Sequence, residues 1–394
     1  MQPAARRKYN NIFVVVLLVL GVVLGLALRR PTGTEDAKHL DSYRYKTAAV
    51  ASDHQTCSTI GKNILKQGGS AADSGIASMI CVGLVNCHNT GIGGGHFSVY
   101  YNRAAGTAFS INAREKAPLA ATEDMYVRAT DASTFGGLSV AVPGELQGFY
   151  QLHQRAGRLP WKDLFTPSIQ LAREGFPIGG ALYIAMDQNK DIILNDESLS
   201  DQLTDGNGNL LEEGDIIRFP ELAATMETIA NNGSSDAFYN GELAAMIAAE
   251  IHARDGIITT QDLEVFEAEV DTNPLMIKLD DFKLYSSQLP SGGPVLSFIM
   301  NILDGRPVAI HCFGAKVRGN ITGIFYNNEM DDFSTPNTTN FYGVPASPVN
   351  FIKPGKRPMS SMVPVIVIDG QGDVRLVTGG AGGTTITTSS ALSS

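Results

Sequence analysis

The amino-acid sequence predicts a mixed α+β fold. The chain has 394 residues, 43% of them hydrophobic and 18% charged, a composition that is typical of globular proteins with a sizeable core. Residues 145–185 and 220–270 have the apolar spacing of amphipathic helices. Residues 363–370 and 373–378 read instead as two strands of a hairpin. Because helical and strand patterns follow one another in mixed order, α+β layers are favoured over a regular βαβ series.

The first elements after residue 46 are predicted to be a strand and two helices. Residues 47–53 have a short strand pattern, and Ser58 to Gln67 have helical spacing. Ser70 followed three residues later by Asp73 is typical of a capped helix N-terminus, so a second helix should run from there through Val85. Its small residues suit close packing against a neighbouring element.

A glycine run separates this second helix from the next predicted strand. Residues 91–95 read Gly-Ile-Gly-Gly-Gly, and residues 97–102 alternate as a strand does. A glycine loop that cradles phosphate lies between a strand and a helix, in that order. Here the order is reversed, so the run indicates tight backbone packing rather than nucleotide binding.

The N-terminal region predicts a membrane anchor. Residues 12–28 are uncharged and mostly Val and Leu, which is long enough to cross a bilayer. A cleaved signal peptide is the alternative, but its apolar region is usually shorter and ends at a small-residue site. We therefore expect a cytoplasmic tail at residues 1–11, a transmembrane signal-anchor at 12–28 and a stalk at 29–45. Because both flanks of the anchor are basic, the positive-inside rule orients it only weakly. The favoured orientation has the tail inside the cell and the rest of the chain outside.

Charge and cysteine content narrow the possible partners. The net charge is −10 and the first 30 residues are basic, so the acidic body makes nucleic acid an unfavourable partner. Four cysteines show no metal-ligand spacing, so no metal site is predicted: Cys57, Cys81, Cys87 and Cys312. Three sequons are candidates for N-glycosylation of an extracellular body: Asn232, Asn320 and Asn337.

Several longer strings resemble one known family, the gamma-glutamyltransferases or glutathione hydrolases. The resemblance covers roughly residues 46–304 and 313–394. The strings that carry it are Asn112-Ala-Arg114-Glu115, Val142-Pro-Gly-Glu-Leu, Gly157-Arg-Leu-Pro-Trp161, Asn327-Asn-Glu329-Met-Asp-Asp332-Phe, Pro354-Gly-Lys-Arg-Pro-Met-Ser360-Ser361-Met and Gly379-Gly-Ala-Gly382-Gly383-Thr384.

The resemblance implies a four-layer αββα sandwich of the N-terminal-nucleophile hydrolase type. Such a precursor cuts itself into a large and a small subunit and frees a threonine whose α-amine acts as the base. An α-amine has a pKa near 7.7–8.0, so it can accept the hydroxyl proton near neutral pH. The threonine takes the γ-glutamyl group from glutathione or its conjugates and passes it to water, an amino acid or a dipeptide. No cofactor is implied.

The resemblance also assigns roles to individual residues. Arg114 would grip the substrate's α-carboxylate, a task suited to a planar two-pronged donor, and Glu329 and Asp332 would hold the α-ammonium. The hydroxyls of Ser360 and Ser361 would bind the carboxylate. The backbone N–H groups of Gly382 and Gly383 would stabilise the oxyanion, with Gly383 also contacting the glutamyl group. Cys57 and Cys81 match a cysteine pair that is bridged in the family, whereas Cys87 and Cys312 match none.

The residue types alone also allow interpretations of these positions in which they have no role in binding. A lone arginine is often a surface ion-pair partner, and Glu329 and Asp332 could belong to a solvated acidic loop. Their spacing of three would place both on one face of a helical turn. Adjacent serines carry little information by themselves.

The chain departs from the family at the position of the nucleophile. Residues 305–312 form an anomalous junction between a large-subunit-like part, residues 46–304, and a small-subunit-like part, residues 313–394, which we expect to be shortened at its C-terminal end. No Asp-Gly-Gly-Thr string of the self-cleavage site occurs in the sequence. Thr384 lies in the oxyanion segment and is not expected to replace the missing threonine. We therefore expect an incomplete sandwich without a catalytic threonine.

Three hypotheses follow. The first is an inactive, shortened form of a type II plasma-membrane glutathione hydrolase, with retention in the endoplasmic reticulum as the alternative location. The second is a non-catalytic membrane-anchored isoform that binds γ-glutamyl compounds or a sister subunit. The third is a gene-model artefact without a stable product.

Overall fold

A computed structural model describes residues 47–300, 315–339 and 345–379. Contacts divide the chain into residues 1–49 and 50–394, and the helices and strands of the described ranges belong to the second unit. The predicted tail, anchor and stalk, the junction at residues 305–312 and the oxyanion glycines lie outside the described residues. No helix within the described ranges is long and apolar enough to span a membrane.

The helices are concentrated before residue 265. Their bounds are α1 Gln55–Lys66, α2 Ala71–Val85, α3 Glu145–Ala156, α4 Trp161–Glu174, α5 Gly180–Gln188, α6 Lys190–Asn195, α7 Glu197–Leu203, α8 Pro220–Asn232, α9 Asp236–Tyr239, α10 Gly241–His252, α11 Thr260–Glu264 and α12 Gly293–Met300. Short 3₁₀ helices occur at Thr130–Ser133, Gly137–Ser139, Glu329–Asp332 and Pro348–Asn350.

The strands form separate antiparallel sheets. Their bounds are β1 His96–Asn102, β2 Thr107–Ala113, β3 Phe176–Pro177, β4 Ile216–Ile217, β5 Glu269–Asp271, β6 Leu275–Leu279, β7 Phe282–Ser286, β8 Val365–Ile368 and β9 Val374–Thr378. One sheet has the order β1-β2-β5, a second β6-β7-β8-β9, and β3 pairs with β4. The α+β prediction is confirmed, whereas the four-layer arrangement stays a prediction.

Helix α2 lies at the centre of the main hydrophobic core. It is apolar on nearly every side and most of its residues are buried, so it is surrounded by neighbouring elements rather than resting on one. Its start is capped as the sequence predicts, because Ser70 and Asp73 each accept the other's backbone N–H. Cys57 on α1 and Cys81 on α2 form a disulfide, as the resemblance implies.

The glycine run after α2 brings distant parts of the backbone together. A Cβ atom at Gly93 would lie 2.2 Å from the carbonyl oxygen of Phe325, and one at Gly95 would lie 2.4 Å from that of Ala113. Gly93 also forms a parallel bridge with Tyr326. Only glycine allows these approaches. The packing interpretation of this run is therefore confirmed.

The segment at residues 315–326 is fastened to the helical part. Glu250 on α10 accepts hydrogen bonds from the backbone N–H groups of Ile321 (2.5 Å) and Thr322 (3.0 Å) and from the Tyr326 hydroxyl (3.1 Å). The Thr225 hydroxyl on α8 donates to the carbonyl of Thr322 at 2.8 Å. These contacts place the following acidic turn beside the glycine run.

Candidate glutamyl-binding site

Arg114 is the first residue after strand β2, and only 1% of it is exposed. A buried guanidinium loses its hydration, so it needs anionic or carbonyl partners nearby. Its position at the end of a paired strand fixes its backbone, since the N–H of Arg114 also donates to the side chain of Asn112 at 3.2 Å. The structure thus holds a fixed positive charge at this point.

Two carboxylates from a distant part of the chain contact this guanidinium. Nη1 of Arg114 pairs with Glu329, and Nη2 pairs with Asp332. Both acids belong to the 3₁₀ turn Glu329–Asp332, which brings side chains three residues apart to the same face. Glu329 is half-buried and Asp332 is exposed, so the cluster borders solvent on the side of Asp332.

The acid between them faces another way. Asp331 accepts hydrogen bonds from the hydroxyls of Ser133 at 2.6 Å and Thr134 at 3.1 Å. Met330 is buried with Tyr126 and Phe333 in a small apolar cluster. The turn is therefore anchored by its middle residues, and its two outer acids are presented to Arg114.

The predicted serines lie in the loop that completes the Arg114 environment. Nη2 of Arg114 donates to the carbonyl of Met359 at 2.8 Å, and Nε donates to that of Pro358 at 3.5 Å. The adjacent Ser360 accepts a hydrogen bond from the N–H of Met362 at 3.1 Å, and its own N–H donates to the carbonyl of Pro290 at 2.9 Å. Ser360 and Ser361 are half-buried in this loop.

Two further charged residues near Arg114 had no role assigned from the sequence. Glu115 is buried, with its carboxylate 3.9 Å from Nη1 of Arg114. Arg357 donates from Nε to the carbonyl oxygen of Arg114 at 3.0 Å and pairs with Glu269 on β5. Both stand within strings that carry the family resemblance, but neither string shows which partner each side chain has.

Three carboxylates share the one guanidinium of Arg114. Burial raises the pKa of Glu115 to about 6, and the positive charge of Arg114 opposes this shift without cancelling it. Burial also raises the pKa of Glu329, again against the influence of Arg114. Since 22% of the Glu329 side chain is exposed, solvent weakens the effect there, and Glu115 is the clearer case.

The remaining predicted positions lie away from this cluster. The three sequon asparagines are exposed. Cys87 is buried, and burial raises the pKa of its thiol to about 12, so it stays protonated at neutral pH and is a poor nucleophile. Within the described ranges, no group of three or more His, Cys, Asp or Glu side chains could hold a metal ion.

The arrangement suits a ligand that carries both charges of an α-amino acid. A ligand carboxylate can replace the acids as a partner of Arg114, and a ligand ammonium can replace the guanidinium as a partner of Glu329 and Asp332. The structure brings these three residues and the serine loop together. Their role in binding a glutamyl group stays a prediction.

Comparison with known proteins identifies the family. The gamma-glutamyltranspeptidase model matches residues 57–311 and 309–393. Scoloptoxin SSD14 of Scolopendra dehaani is 34% identical over 490 residues, covering 98% of this chain and 85% of the relative. Glutathione hydrolase 3 of Arabidopsis thaliana is 33% identical over 441 residues, covering 87% and 69%.

A solved structure agrees with the sequence relatives. The crystal structure of Helicobacter pylori gamma-glutamyltranspeptidase superposes with a TM-score of 0.62 at 27% identity, covering 65% of this chain and 74% of that chain. The family match extends over most of the present sequence, including the strings around Arg114, Glu329 and Ser360. This chain belongs to the gamma-glutamyltranspeptidase family.

Proposed function

We propose that this chain binds the glutamyl group of glutathione and related γ-glutamyl compounds. Arg114 would take the α-carboxylate, with Ser360 and Ser361 beside it, and Glu329 and Asp332 would take the α-ammonium. The observation that carries this proposal is the buried guanidinium contacted by two acids from one turn. The names of the plant and yeast relatives, which are glutathione hydrolases, support the choice of ligand.

The reaction we propose for a complete member of the family is cleavage of the γ-glutamyl amide. A threonine hydroxyl attacks the amide carbon and gives its proton to the threonine's α-amine, and the leaving amine departs with a proton. The γ-glutamyl ester is then transferred to water, an amino acid or a dipeptide. The backbone N–H groups of Gly382 and Gly383 would stabilise the oxyanion.

We infer that this chain does not complete that reaction alone. Its sequence has no Asp-Gly-Gly-Thr string, and the two segments matched by the family model meet at residues 309–311. The alignment with the centipede relative is 490 residues long, whereas this chain has 394, so the relative carries sequence without a counterpart here. Without its nucleophile, a catalytic unit loses nearly all of the covalent contribution.

The test separates binding from turnover. Calorimetry on the purified full chain should detect L-glutamate binding, and Arg114→Lys should weaken it by about tenfold or more because one planar donor pair is lost. Arg173→Lys is the matched control, since this exposed arginine pairs with Glu227 on the surface. A γ-glutamyl anilide should not be turned over, with Arabidopsis glutathione hydrolase 3 as the positive control. Turnover comparable with that control would refute the inactivity.

We also propose a location for the chain. Residues 12–28 would anchor it in the plasma membrane as a single-pass type II protein with the body outside the cell. Glycans at Asn232, Asn320 or Asn337 would accompany that topology, because all three asparagines are exposed. Glycosidase treatment of the chain from intact cells should increase its gel mobility. Unchanged mobility together with an N-terminus facing the medium would argue against this orientation.

A further inference from the structure

The acidic turn Glu329–Asp332 is held at each end by a buried asparagine. Asn327 stands two residues before Glu329 and is 9% exposed, and Asn350 comes after the turn and is 8% exposed. Each makes hydrogen bonds outside the turn, Asn327 to Gly93 and Ala141 and Asn350 to Met359, so each connects the turn to another segment.

Asn327 uses every donor and acceptor of its carboxamide group. Its Nδ2 donates to the carbonyls of Gly93 (2.8 Å) and Ala141 (2.9 Å), and its Oδ1 accepts from the N–H groups of Ala141 and Glu329, both at 3.0 Å. A carboxamide offers two N–H donors and an oxygen with two lone pairs. This side chain is therefore fully satisfied, and it sets the backbone of Glu329 against the glycine run.

Asn350 joins the other end of the turn to the serine loop. Its Nδ2 donates to the carbonyl of Asp332 at 2.8 Å, and its Oδ1 accepts from the N–H of Met359 at 3.1 Å. The carbonyl of Met359 in turn accepts from Nη2 of Arg114 at 2.8 Å. One short chain of hydrogen bonds thus links Asp332 to the cation that it faces.

We propose that Asn327 and Asn350 are positioning residues that fix the two acids relative to Arg114, so that the site distinguishes ligands with an α-ammonium from ligands without one. This inference rests on the proposed function, because it concerns the same site. Each asparagine acts on the backbone of an acid, Asn327 at Glu329 and Asn350 at Asp332.

Buried asparagines can also serve stability alone, and the two roles predict different results. A purely structural asparagine affects every ligand of the site to the same extent. A positioning asparagine chiefly affects the contact with the ammonium group, which the two acids provide. L-Glutamate and glutarate separate these cases, since glutarate has the same carbon chain and both carboxylates but no ammonium.

The first experiment measures both affinities on the full chain. The wild type should prefer L-glutamate, and Asn327→Ala or Asn350→Ala should reduce the ratio of the two affinities by about tenfold, with a smaller change in glutarate binding. Asn189→Ala is the control, because this half-buried asparagine just after α5 donates to the carbonyl of Ala185 in that helix. An unchanged ratio in both folded variants would overturn the proposal.

A second experiment does not depend on ligand binding. Amide hydrogen exchange in residues 327–333 should be faster in Asn327→Ala and in Asn350→Ala than in Asn189→Ala, because the turn loses a fixed point. If the wild type fails to bind L-glutamate, the proposed function is wrong, yet this measurement still decides whether the two asparagines hold the turn in place. Exchange equal to the control would overturn that positioning role. Asn350 makes fewer side-chain hydrogen bonds than Asn327, so its variant remains informative if Asn327→Ala does not fold.

Discussion

Arg114 is surrounded by more negative charge than one guanidinium can balance. Glu115, Glu329 and Asp332 all have a carboxylate oxygen within 3.9 Å of it, and Glu115 is buried beside it. Desolvation penalises each ionised carboxylate, whereas the cation favours it. The result is a site whose charge changes near pH 6, because the pKa of Glu115 is raised to about 6.

This shift predicts a pH-dependent stability. An acid whose pKa rises on folding, here from 4.5 to about 6, stabilises the fold below about pH 4.5 and loses that contribution as the pH rises through 6. In the Glu115→Gln variant this side chain cannot ionise. Between about pH 4 and 7, the free energy of unfolding of the variant should therefore fall by about 2 kcal/mol less than that of the wild type. Urea unfolding at both pH values measures this difference. The same fall in variant and wild type would contradict the expected role of Glu115.

Part of this site could be predicted from the sequence. The resemblance pointed to Arg114, Glu329 and Asp332 although more than two hundred residues separate the arginine from the acids, and the structure brings them together. The role of Asn327 depends on partners 186 and 234 residues away in the chain, and that of Asn350 depends on how the loop after it folds back onto the turn. A carboxamide in a sequence string does not reveal which backbone groups it will meet, so only the fold could identify them.

The position of helix α2 depends on a few buried polar contacts. Asp73 at the start of α2 is fully buried and accepts N–H groups from Ser70 (2.8 Å), Arg158 (2.9 Å) and Leu159 (3.1 Å). It therefore caps its own helix and also fixes the turn before α4. Removing the carboxylate leaves three donors without this acceptor.

We expect Asp73→Ala to lower the free energy of unfolding by about 3 kcal/mol or more, because a helix cap and two further charged hydrogen bonds are lost. Denaturant titration measures the change. Asp191→Ala is the control, since Asp191 is an exposed residue in the first turn of α6, and the expected change is within about 0.5 kcal/mol. Similar values for the two variants would show that the buried contacts contribute little.

Replacing two different glycines by alanine should change the stability of the protein in opposite directions. Gly93→Ala would place a methyl group 2.2 Å from the carbonyl oxygen of Phe325, so we expect a loss of about 2 kcal/mol or more. Gly75 on α2 has open space around its Cβ position, so Gly75→Ala should raise stability by up to about 1 kcal/mol. Thermal melts of both variants test this pair. Equal shifts would contradict the packing account.

Among the elements, sequence patterns succeeded where the signal is local. The capped start of α2 and the hairpin of β8 and β9 are confirmed, because a cap and a tight turn depend on neighbouring residues. The strand predicted at residues 47–53 is wrong. The structure pairs this segment with no strand among the residues it describes, and Val50 packs beside Gly61 of α1 instead. A short strand pattern cannot specify whether a partner strand will be available.

Large apolar side chains remain exposed on α12, just before it, and on strand β9. Phe298 is 67% exposed, Leu289 63% and Val295 51%, and Val377 on β9, the last strand of its sheet among the described residues, is 68% exposed. Exposed apolar patches and unpaired strand edges favour association between molecules.

We therefore expect the body to self-associate as its concentration rises. Phe298→Lys combined with Val295→Lys should reduce this association, because charge replaces apolar surface on one face of α12. Analytical ultracentrifugation over a concentration series measures it. Ile184→Lys on α5 is the control, since Ile184 is similarly exposed but belongs to another helix. Equal association in all three proteins would place the contact elsewhere.

The fastening of residues 315–326 to α8 and α10 has a consequence for the integrity of the molecule. Glu250 on α10 and Thr225 on α8 form hydrogen bonds to Thr322 in this segment, and Gly93 forms a β-bridge with Tyr326. These links do not require an intact peptide chain between residues 300 and 315. A single cut there would yield two polypeptides that still migrate as one particle under native conditions and part only when the protein unfolds.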